Sequence, residues 1–224
     1  TPEAKLRAHS HVLWPKLSEQ LSSQTGIDNG YRNCGGISIC LDGGEGQWQR
    51  DVALWTDERV ELQHLGSDDV REYEPSISRQ IARAFRLPAL SQVRNPRHLK
   101  ALRAGCLARG ANLIEGAPVG GFDGQHGRIN SAITTTGQTF AADHFCLTGG
   151  AWTQALLRPF GIETSIEPVR GQIVLLSGPP GLLGHVIEDG TRYLVPRPDG
   201  RILVGSTEER VGFDRRNTAS GIAG

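Results

Sequence analysis

Two stretches of the chain carry groups suited to binding a small polar ligand. The first is Thr148-Gly149-Gly150-Ala151-Trp152, which follows an apolar segment and precedes a predicted helix. Glycines permit close approach to the backbone, and the N–H groups at the start of a helix favour phosphate or ribose oxygens. A plain glycine-lined connection is the structural alternative for the same pattern.

The second stretch runs from Thr191 to Asp214 and contains two apolar segments joined by a Pro-Asp-Gly turn. β-Branched and aromatic residues on both sides of that turn predict a β-hairpin. Tyr193 offers a phenolic hydroxyl at the start of the first strand, and the acidic pair Glu208-Glu209 follows the second. An ordinary sheet hairpin with a solvated acidic end also fits this pattern.

Arg170 is a third candidate, in the segment PVRGQ that leads into a strand predicted over residues 173–176. Its five donors can pair with a carboxylate, or can hold a loop by binding backbone carbonyls. An arginine at the entrance of a strand commonly satisfies carbonyls, so structural anchoring is the alternative to ligand binding.

The composition argues against several other classes of function. The 24 basic and 24 acidic side chains cancel, so no global field favours nucleic acid or an anionic membrane surface. No apolar run approaches the roughly 20 residues of a membrane span. The four cysteines lack CxxC spacing and are expected to be buried free thiols, consistent with a reducing cytoplasm. The seven histidines are too scattered to predict a metal site.

The elements predicted around these stretches alternate between helices and strands. Apolar spacing predicts amphipathic helices over residues 3–24, 48–65 and 95–109. Asn95 is expected to cap the third of these helices, with Pro96 in its first position. Besides the hairpin and the strand after Arg170, strands are predicted over residues 34–41, 112–115, 118–122, 128–135 and 144–147. This order indicates a mixed α/β fold with an antiparallel sheet attached.

Four stretches resemble the flavin-dependent amine and D-amino acid oxidase family, and in particular its glycine oxidase-like members. They are GIDNGYRNCGGISIC, QVRNPRHLKALRAGCLARG, the segment from FCLTGGAWTQALL to PVRGQ, and the hairpin YLVPRPDGRILVGSTEERVGFD. RGQ or GGAW alone would carry little information. The four stretches occur in the family's order and cover most of the chain.

The resemblance implies FAD as the cofactor and a division of the chain into two domains. The expected fold is a partial FAD-binding Rossmann-like domain from residues 1–30 and 91–160, with an antiparallel-sheet substrate domain from residues 31–90 and 161–224. Similar oxidases open with a GxGxxG fingerprint, which does not occur here. The chain is therefore expected to be an internal segment that lacks the family's carboxylate-binding arginine, binds flavin weakly by itself and is inactive alone.

The resemblance also assigns cofactor contacts to individual residues. Thr148, Gly149, Gly150 and Trp152 correspond to the family's AGAW segment, which lies against the flavin in similar oxidases. Val119 corresponds to a valine that touches the adenine through its backbone. Because any apolar residue could make that contact, the identity of Val119 is expected to matter little.

A second set of residues is expected to bind the substrate. Tyr193 aligns with a tyrosine that hydrogen-bonds the substrate carboxylate in similar enzymes, and Arg170 is included as a carboxylate partner. Glu208 falls where related enzymes place a pocket-lining side chain that is often apolar, which puts the substrate preference in doubt. No catalytic side chain is expected, because hydride passes from the substrate carbon to the flavin.

The implied function is FAD-dependent oxidation of a small amino acid or secondary amine, in the cytoplasm and in thiamine biosynthesis. Two alternatives stay open: a dehydrogenase of the same family that uses a quinone or another electron acceptor, and a non-catalytic α/β ligand-binding module. The expected partner is a small amino acid or amine, and a homo-oligomer is compatible with the sequence. Flavin in the purified protein would separate the two enzymes from the binding module.

Overall fold

The structure, a computed structural model, describes residues 1–41, 44–78 and 80–223. The long first helix begins where the Thr1 hydroxyl accepts a hydrogen bond from the Ala4 amide and ends at Gly26, whose φ is 69°. The helix predicted over residues 3–24 is thereby confirmed. The helices of the described part are α1 (Pro2–Thr25), α2 (Glu45–Asp57), α3 (Ser67–Tyr73), α4 (Asn95–Ala108), α5 (Thr153–Leu157) and α6 (Ala219–Ala223).

Most of the strands belong to one mixed sheet. This seven-stranded sheet has the order β3-β4-β2-β10-β11-β12-β9, and only its β2–β10 pair is parallel. A three-stranded sheet β6-β7-β8 and a short pair β1-β5 complete the described strands. The strands are β1 (Arg32–Asn33), β2 (Gly36–Cys40), β3 (Gln63–Leu65), β4 (Arg83–Leu87), β5 (Ser91–Gln92), β6 (Val119–Gln125), β7 (Arg128–Thr134), β8 (Thr139–Ala141), β9 (Val174–Ser177), β10 (Val186–Asp189), β11 (Arg192–Pro196) and β12 (Arg201–Gly205).

The chain packs as two compact units. Unit 1 comprises residues 1–111, 171–207 and 217–224, and it contains the seven-stranded sheet. Unit 2 comprises residues 112–170 and 208–216, and it contains the three-stranded sheet. Helices α1 and α4 pack on each other within unit 1. This division describes packing, and the assignment of segments to cofactor or substrate remains a prediction.

Unit 1 has a hydrophobic core on one face of its sheet. Strand alternation sends every second side chain of β2 and β10 to that face, where they cluster with Val70 of helix α3, which packs on β3 and β4. Ile37 and Val70 are completely buried there. The core cluster consists of Ile37, Ile39, Leu65, Val70, Ile81, Ala84 and Ile187.

Three predicted elements differ from the structure. The helix predicted over residues 48–65 ends at Asp57, Arg59 takes a left-handed φ of 58°, and residues 63–65 pair with β4 as a strand instead. The strands predicted over residues 112–115 and 144–147 do not form, because no strand within the described residues pairs with them. Backbone pairing, which is not local, overrides the local apolar pattern at these positions.

The structure also corrects the predictions for the start of α4 and for the cysteines. Asn95 lies inside α4, and the capping position is Arg94, which makes no side-chain capping bond. The Arg94 amide instead donates to the Asn29 carbonyl at 2.9 Å, so a tertiary contact fixes the entry of the helix. Only Cys40 of the four cysteines is buried, whereas Cys34 is half-buried and Cys106 and Cys146 are exposed.

Candidate functional site

The hairpin that carries Tyr193 forms as predicted. Strands β11 and β12 pair in antiparallel register, with Tyr193 opposite Gly205. A Cβ atom at Gly205 would lie 3.0 Å from the Tyr193 hydroxyl and 2.7 Å from the Ile173 side chain. Only glycine fits there, because both distances are shorter than ordinary contacts of a Cβ atom. The group that lies closest to this glycine is the Tyr193 ring, together with the Ile173 side chain.

Tyr193 belongs to a row of residues that crosses the sheet on the face opposite the core. The row is Phe85, Ser38, Glu188, Tyr193 and Gly205, each directly opposite the next in the strand register. Since directly opposed residues share a face of the sheet, their side chains are neighbours. We call this set the Tyr193 row.

The Tyr193 row is covered at one end and open at the other. Trp48 of α2 stacks on Phe85 with ring centroids 5.1 Å apart and is itself buried. Beyond Gly205, the side chains of Ile173 and Leu175 are 51% and 55% exposed. Tyr193 and Glu188 lie between these ends and are half-buried. A small ligand can therefore reach the Tyr193 hydroxyl from the open end of the row.

Glu188 is a chemically distinctive residue that the sequence analysis missed. Burial raises the pKa of the Glu188 carboxyl, and the nearby carboxylate of Asp51 raises it further. Asp51 is held on α2 by a hydrogen bond of 2.8 Å from the Gln47 amide. The available sequence signal was the pair Val186-Ile187 before Asp189-Gly190, a strand and turn pattern directly upstream of the hairpin.

A second buried carboxylate, Glu74, connects α3 to the start of β10. Its Oε1 accepts hydrogen bonds from the backbone amides of Gly184 and His185 at 2.8 and 2.6 Å, and it contacts His185 Nδ1 at 2.7 Å. Glu74 is only 1% exposed. These bonds satisfy the buried charge and fix the start of β10, which carries Glu188. No local sequence pattern identifies this long-range contact.

Four of the five residues predicted to contact the cofactor line one pocket in unit 2. Val119, Thr148, Gly149 and Trp152 surround a cavity of about 700 Å³. The remaining walls are mostly apolar or backbone and come from Pro118, Gly120, Phe122, Ala132, Phe145, Cys146, Leu147, Ala155 and Leu156. A volume of this size with mainly apolar walls is typical of small-molecule and cofactor sites.

The glycine turn shapes one wall of this pocket. Gly150 has a φ of 53° and begins a 3₁₀ turn, Gly150–Trp152, which leads into the short helix α5. A Cβ atom at Gly149 would lie 3.2 Å from the Thr153 hydroxyl, so the turn is tight. Trp152 is 57% exposed, and its ring lies 5.5 Å from that of Phe213. The residues present thus provide a glycine-lined backbone and apolar walls, which fit an aromatic nucleotide cofactor.

Arg170 is engaged by groups of its own chain within unit 2. Its guanidinium pairs with Glu209 at 2.6 Å, lies 3.6 Å from an Asp214 oxygen, and donates to the Arg216 carbonyl at 2.8 Å. The Arg216 guanidinium, together with Arg170, holds the pKa of the Asp214 carboxyl well below its usual range. These contacts favour the anchoring alternative for Arg170, and its role toward a substrate remains a prediction.

Glu208 is exposed and begins the second segment of unit 2, whereas Tyr193 belongs to unit 1. The structure therefore brings the cofactor candidates together but distributes the three substrate candidates over both units. Among the residues that the structure describes, no group of three histidine, cysteine or acidic side chains could hold a metal ion. None of the described helices is long and apolar enough to cross a membrane.

The chain matches a known protein family over nearly its whole length. The family described as "FAD dependent oxidoreductase" matches residues 1–223. The sequence is 32% identical over 225 residues to a glycine oxidase of Pseudomonas putida, covering 99% of this chain and 60% of that protein. It is 31% identical over 209 residues to a bifunctional protein ThiO/ThiG of Synechocystis sp., covering 91% of this chain and 29% of that protein.

The fold has a clear relative among solved structures. The crystal structure of glycine oxidase from Geobacillus kaustophilus matches with a TM-score of 0.90 and 31% sequence identity, over 99% of this chain and 60% of that one. The chain thus spans about 60% of the length of the two glycine oxidases that it matches. The mixed α/β fold with antiparallel strands, predicted from the sequence, is confirmed.

Proposed function

We propose, from the premise that this chain belongs to the family of FAD dependent oxidoreductases, that it serves the oxidation of a small amino acid or secondary amine. FAD is the cofactor of this family. The observation that carries the proposal is the position of Tyr193, half-buried on the open face of the sheet in a chain that is similar to glycine oxidases over nearly its whole length.

The cofactor side of the proposal assigns the pocket of unit 2 to part of FAD. Val119 and the turn from Thr148 to Trp152 would hold it through backbone contacts and apolar packing. Bound FAD supplies the acceptor for a hydride from the amine-bearing carbon of the substrate. The protein residues bind and orient both molecules and exclude water, which accounts for the absence of any predicted catalytic side chain.

The substrate side of the proposal rests on the Tyr193 row. The Tyr193 hydroxyl would donate a hydrogen bond to the substrate carboxylate, which keeps its charge throughout the reaction. Such a bond positions the adjacent carbon without changing strength between ground and transition state. Arg170 and Glu208 remain further predicted contacts of the substrate, with a structural role favoured for Arg170 by its ion pairs.

Three further features of the protein stay predictions. They are a homo-oligomer, a cytoplasmic location and a role in thiamine biosynthesis. The electron acceptor is also a separate question, because an oxidase and a dehydrogenase of this family share the first half of the reaction.

The test is anaerobic reduction of the flavin. We expect the full-length protein, loaded with FAD, to lose its yellow colour when it is mixed with glycine, sarcosine or D-alanine, as followed by absorbance. Admitting dioxygen or a quinone to the reduced protein then distinguishes the oxidase from the dehydrogenase by the rate at which colour returns. A full-length protein that binds no flavin, or whose bound flavin none of these amines reduces, would contradict the proposed function.

A further inference from the structure

Glu188 is placed to contact any ligand that reaches Tyr193. The two residues are directly opposite each other in the antiparallel β10–β11 pair, so their side chains lie on the same face. On its other side Glu188 is opposite Ser38 of β2, a small buried residue. The Glu188 side chain therefore lies on the same face as the Tyr193 ring, one strand away from it, while the Tyr193 hydroxyl lies over Gly205 on the next strand.

The electrostatic surroundings of Glu188 favour a positively charged or hydrogen-donating ligand. Among the described residues, no hydrogen bond and no opposite charge contributes to the shifted pKa of its carboxyl. Burial raises the pKa of Glu188, and the like charge of Asp51 raises it further. A half-buried carboxylate without a partner is costly, and a donor that binds it relieves that cost.

We propose that Glu188 binds the amino group of the substrate while Tyr193 binds its carboxylate. The inference rests on the proposed function and names the substrate class of that site. The Glu188 oxygens would accept hydrogen bonds from the amine N–H groups, and this charge-assisted contact would orient the amine-bearing carbon. Glu188 is thus a substrate-binding residue that determines specificity.

The same charge predicts which amines the site rejects. The acidic side chains of Glu188 and Asp51 repel a second carboxylate on the substrate. The preferred substrates are therefore amines with one carboxylate, such as glycine or sarcosine, and dicarboxylates such as iminodiacetate bind poorly. Substrate specificity then comes from repulsion of a second carboxylate as well as from attraction of the amine.

The experiment measures binding and reduction with the full-length, FAD-loaded protein and its Glu188→Gln variant. We expect the variant to raise the KM for glycine about tenfold to hundredfold, the loss typical of a hydrogen bond to a charged group. Acetate has the carboxylate but no amine, and we expect its inhibition constant to stay equal or to fall. The preference for glycine over iminodiacetate should fall at least about tenfold.

Two further variants separate a binding role from a structural one. Asp189→Asn removes a carboxylate from the same strand but, by strand alternation, from the opposite face, and we expect both constants to stay within about twofold. Glu188→Asp keeps the charge one methylene further away, and we expect it to lose less glycine affinity than the Gln variant does.

The outcomes distinguish this inference from the proposed function. If no amine reduces the wild-type flavin, the proposed function fails first. If reduction occurs but Glu188→Gln weakens glycine and acetate equally, or changes neither, Glu188 does not bind the amine and the inference is overturned. An Asp variant that loses as much glycine affinity as the Gln variant would overturn it too, since the charge would then not be what binds.

Discussion

The two compact units differ in what their apolar side chains do. Every apolar side chain that is buried in the described part of the chain belongs to unit 1, and the buried side chains of unit 2 are polar: Ser131, Thr134 and Thr153. Unit 2 instead exposes large apolar groups, including Leu113, Ile114, Trp152, Phe160, Ile162, Ile166 and Phe213. Unit 1 therefore has its own core, whereas unit 2 gains little from burial within this chain.

This difference predicts in which unit ligand binding and folding stability are coupled. The proposed substrate residues Tyr193 and Glu188 lie on a sheet whose other face is a packed core, so that sheet needs no ligand to hold its geometry. The proposed cofactor residues lie in a unit without such a core. A ligand that binds only the folded form stabilises it, so FAD should stabilise unit 2 more than unit 1.

The largest expected effect tests the core itself. Ile37→Ala removes a completely buried side chain from unit 1 and should lower the free energy of unfolding by about 2–5 kcal/mol. Ile114→Ala removes the same atoms from a side chain of unit 2 that is 48% exposed. This variant should change the free energy of unfolding by no more than about 0.5 kcal/mol. Urea unfolding followed by tryptophan fluorescence measures both. Equal losses for the two variants would mean that both units are packed alike.

The sequence predicted the local parts of this picture better than the long-range ones. The hairpin around Pro198-Asp199-Gly200 was predicted, because its turn residues and paired strands are adjacent in the chain. The parallel β2–β10 pair joins segments about 150 residues apart, and no local pattern specifies such a partner. Glu188 was missed for the same reason. The strand that places it beside Ser38 is β2, which lies far from Glu188 in the sequence.

The segments around the cofactor pocket were also predicted only in part. The resemblance selected Val119 and the segment from Thr148 to Trp152 one residue at a time, and the structure gathers four of those five residues around one cavity. The strand predicted over residues 144–147, which leads into that segment, does not form. Apolar composition was a reliable sign of contact with the pocket there, but strand structure also requires a partner strand.

The next largest effect concerns the substrate side. In the full-length enzyme, Tyr193→Phe should raise the KM for a small amino acid more than it lowers kcat, because a hydroxyl that binds an unchanging carboxylate contributes uniform binding. One such bond to a charged group contributes roughly 1.5–3 kcal/mol, which corresponds to about a tenfold to hundredfold loss in kcat/KM. Steady-state kinetics with glycine, sarcosine and D-alanine measures the change. The dissociation constant of FAD should stay the same, because Tyr193 belongs to unit 1 and the pocket to unit 2.

Wild-type KM and kcat in the Phe variant for all three substrates would make Tyr193 a packing residue. The placement of the substrate on the Tyr193 row, and the inference about Glu188 with it, would then have to be withdrawn.

A smaller effect is expected from acid, and it should act on unit 1. His98 is 9% exposed, its Nδ1 lies 3.3 Å from the Asn29 amide nitrogen, and burial lowers the pKa of its imidazole. The folded state therefore binds the proton less well than the unfolded state, whose histidine titrates near 6.5. The free energy of unfolding should fall as the pH drops below about 6.5, until the folded imidazole also becomes protonated.

Urea unfolding between pH 7.5 and pH 5.5 measures this loss, and Trp14, whose ring lies 4.8 Å from that of His98, reports it. His98→Gln should flatten the pH dependence over that interval. His9→Gln replaces an exposed histidine on α1 and serves as the control, so it should leave the wild-type curve in place. A curve that is as steep in His98→Gln as in the wild type would assign the acid sensitivity to other groups.

The smallest expected effect is on the cofactor side. Val119 lines the pocket of unit 2 with a side chain that is 39% exposed, and its proposed contact with FAD is made by the backbone. Val119→Ala should therefore change the dissociation constant of FAD by less than about threefold, since only a few half-exposed methyl contacts are lost. Trp152→Ala removes an aromatic ring that lines the same pocket and should weaken FAD binding more, by about threefold to tenfold. Fluorescence titration with FAD measures both, and neither variant should alter the KM for the amine. A tenfold or larger loss in Val119→Ala would mean that the side chain, and not the backbone, forms the contact, and the residue's identity would then carry information that the resemblance does not assign to it.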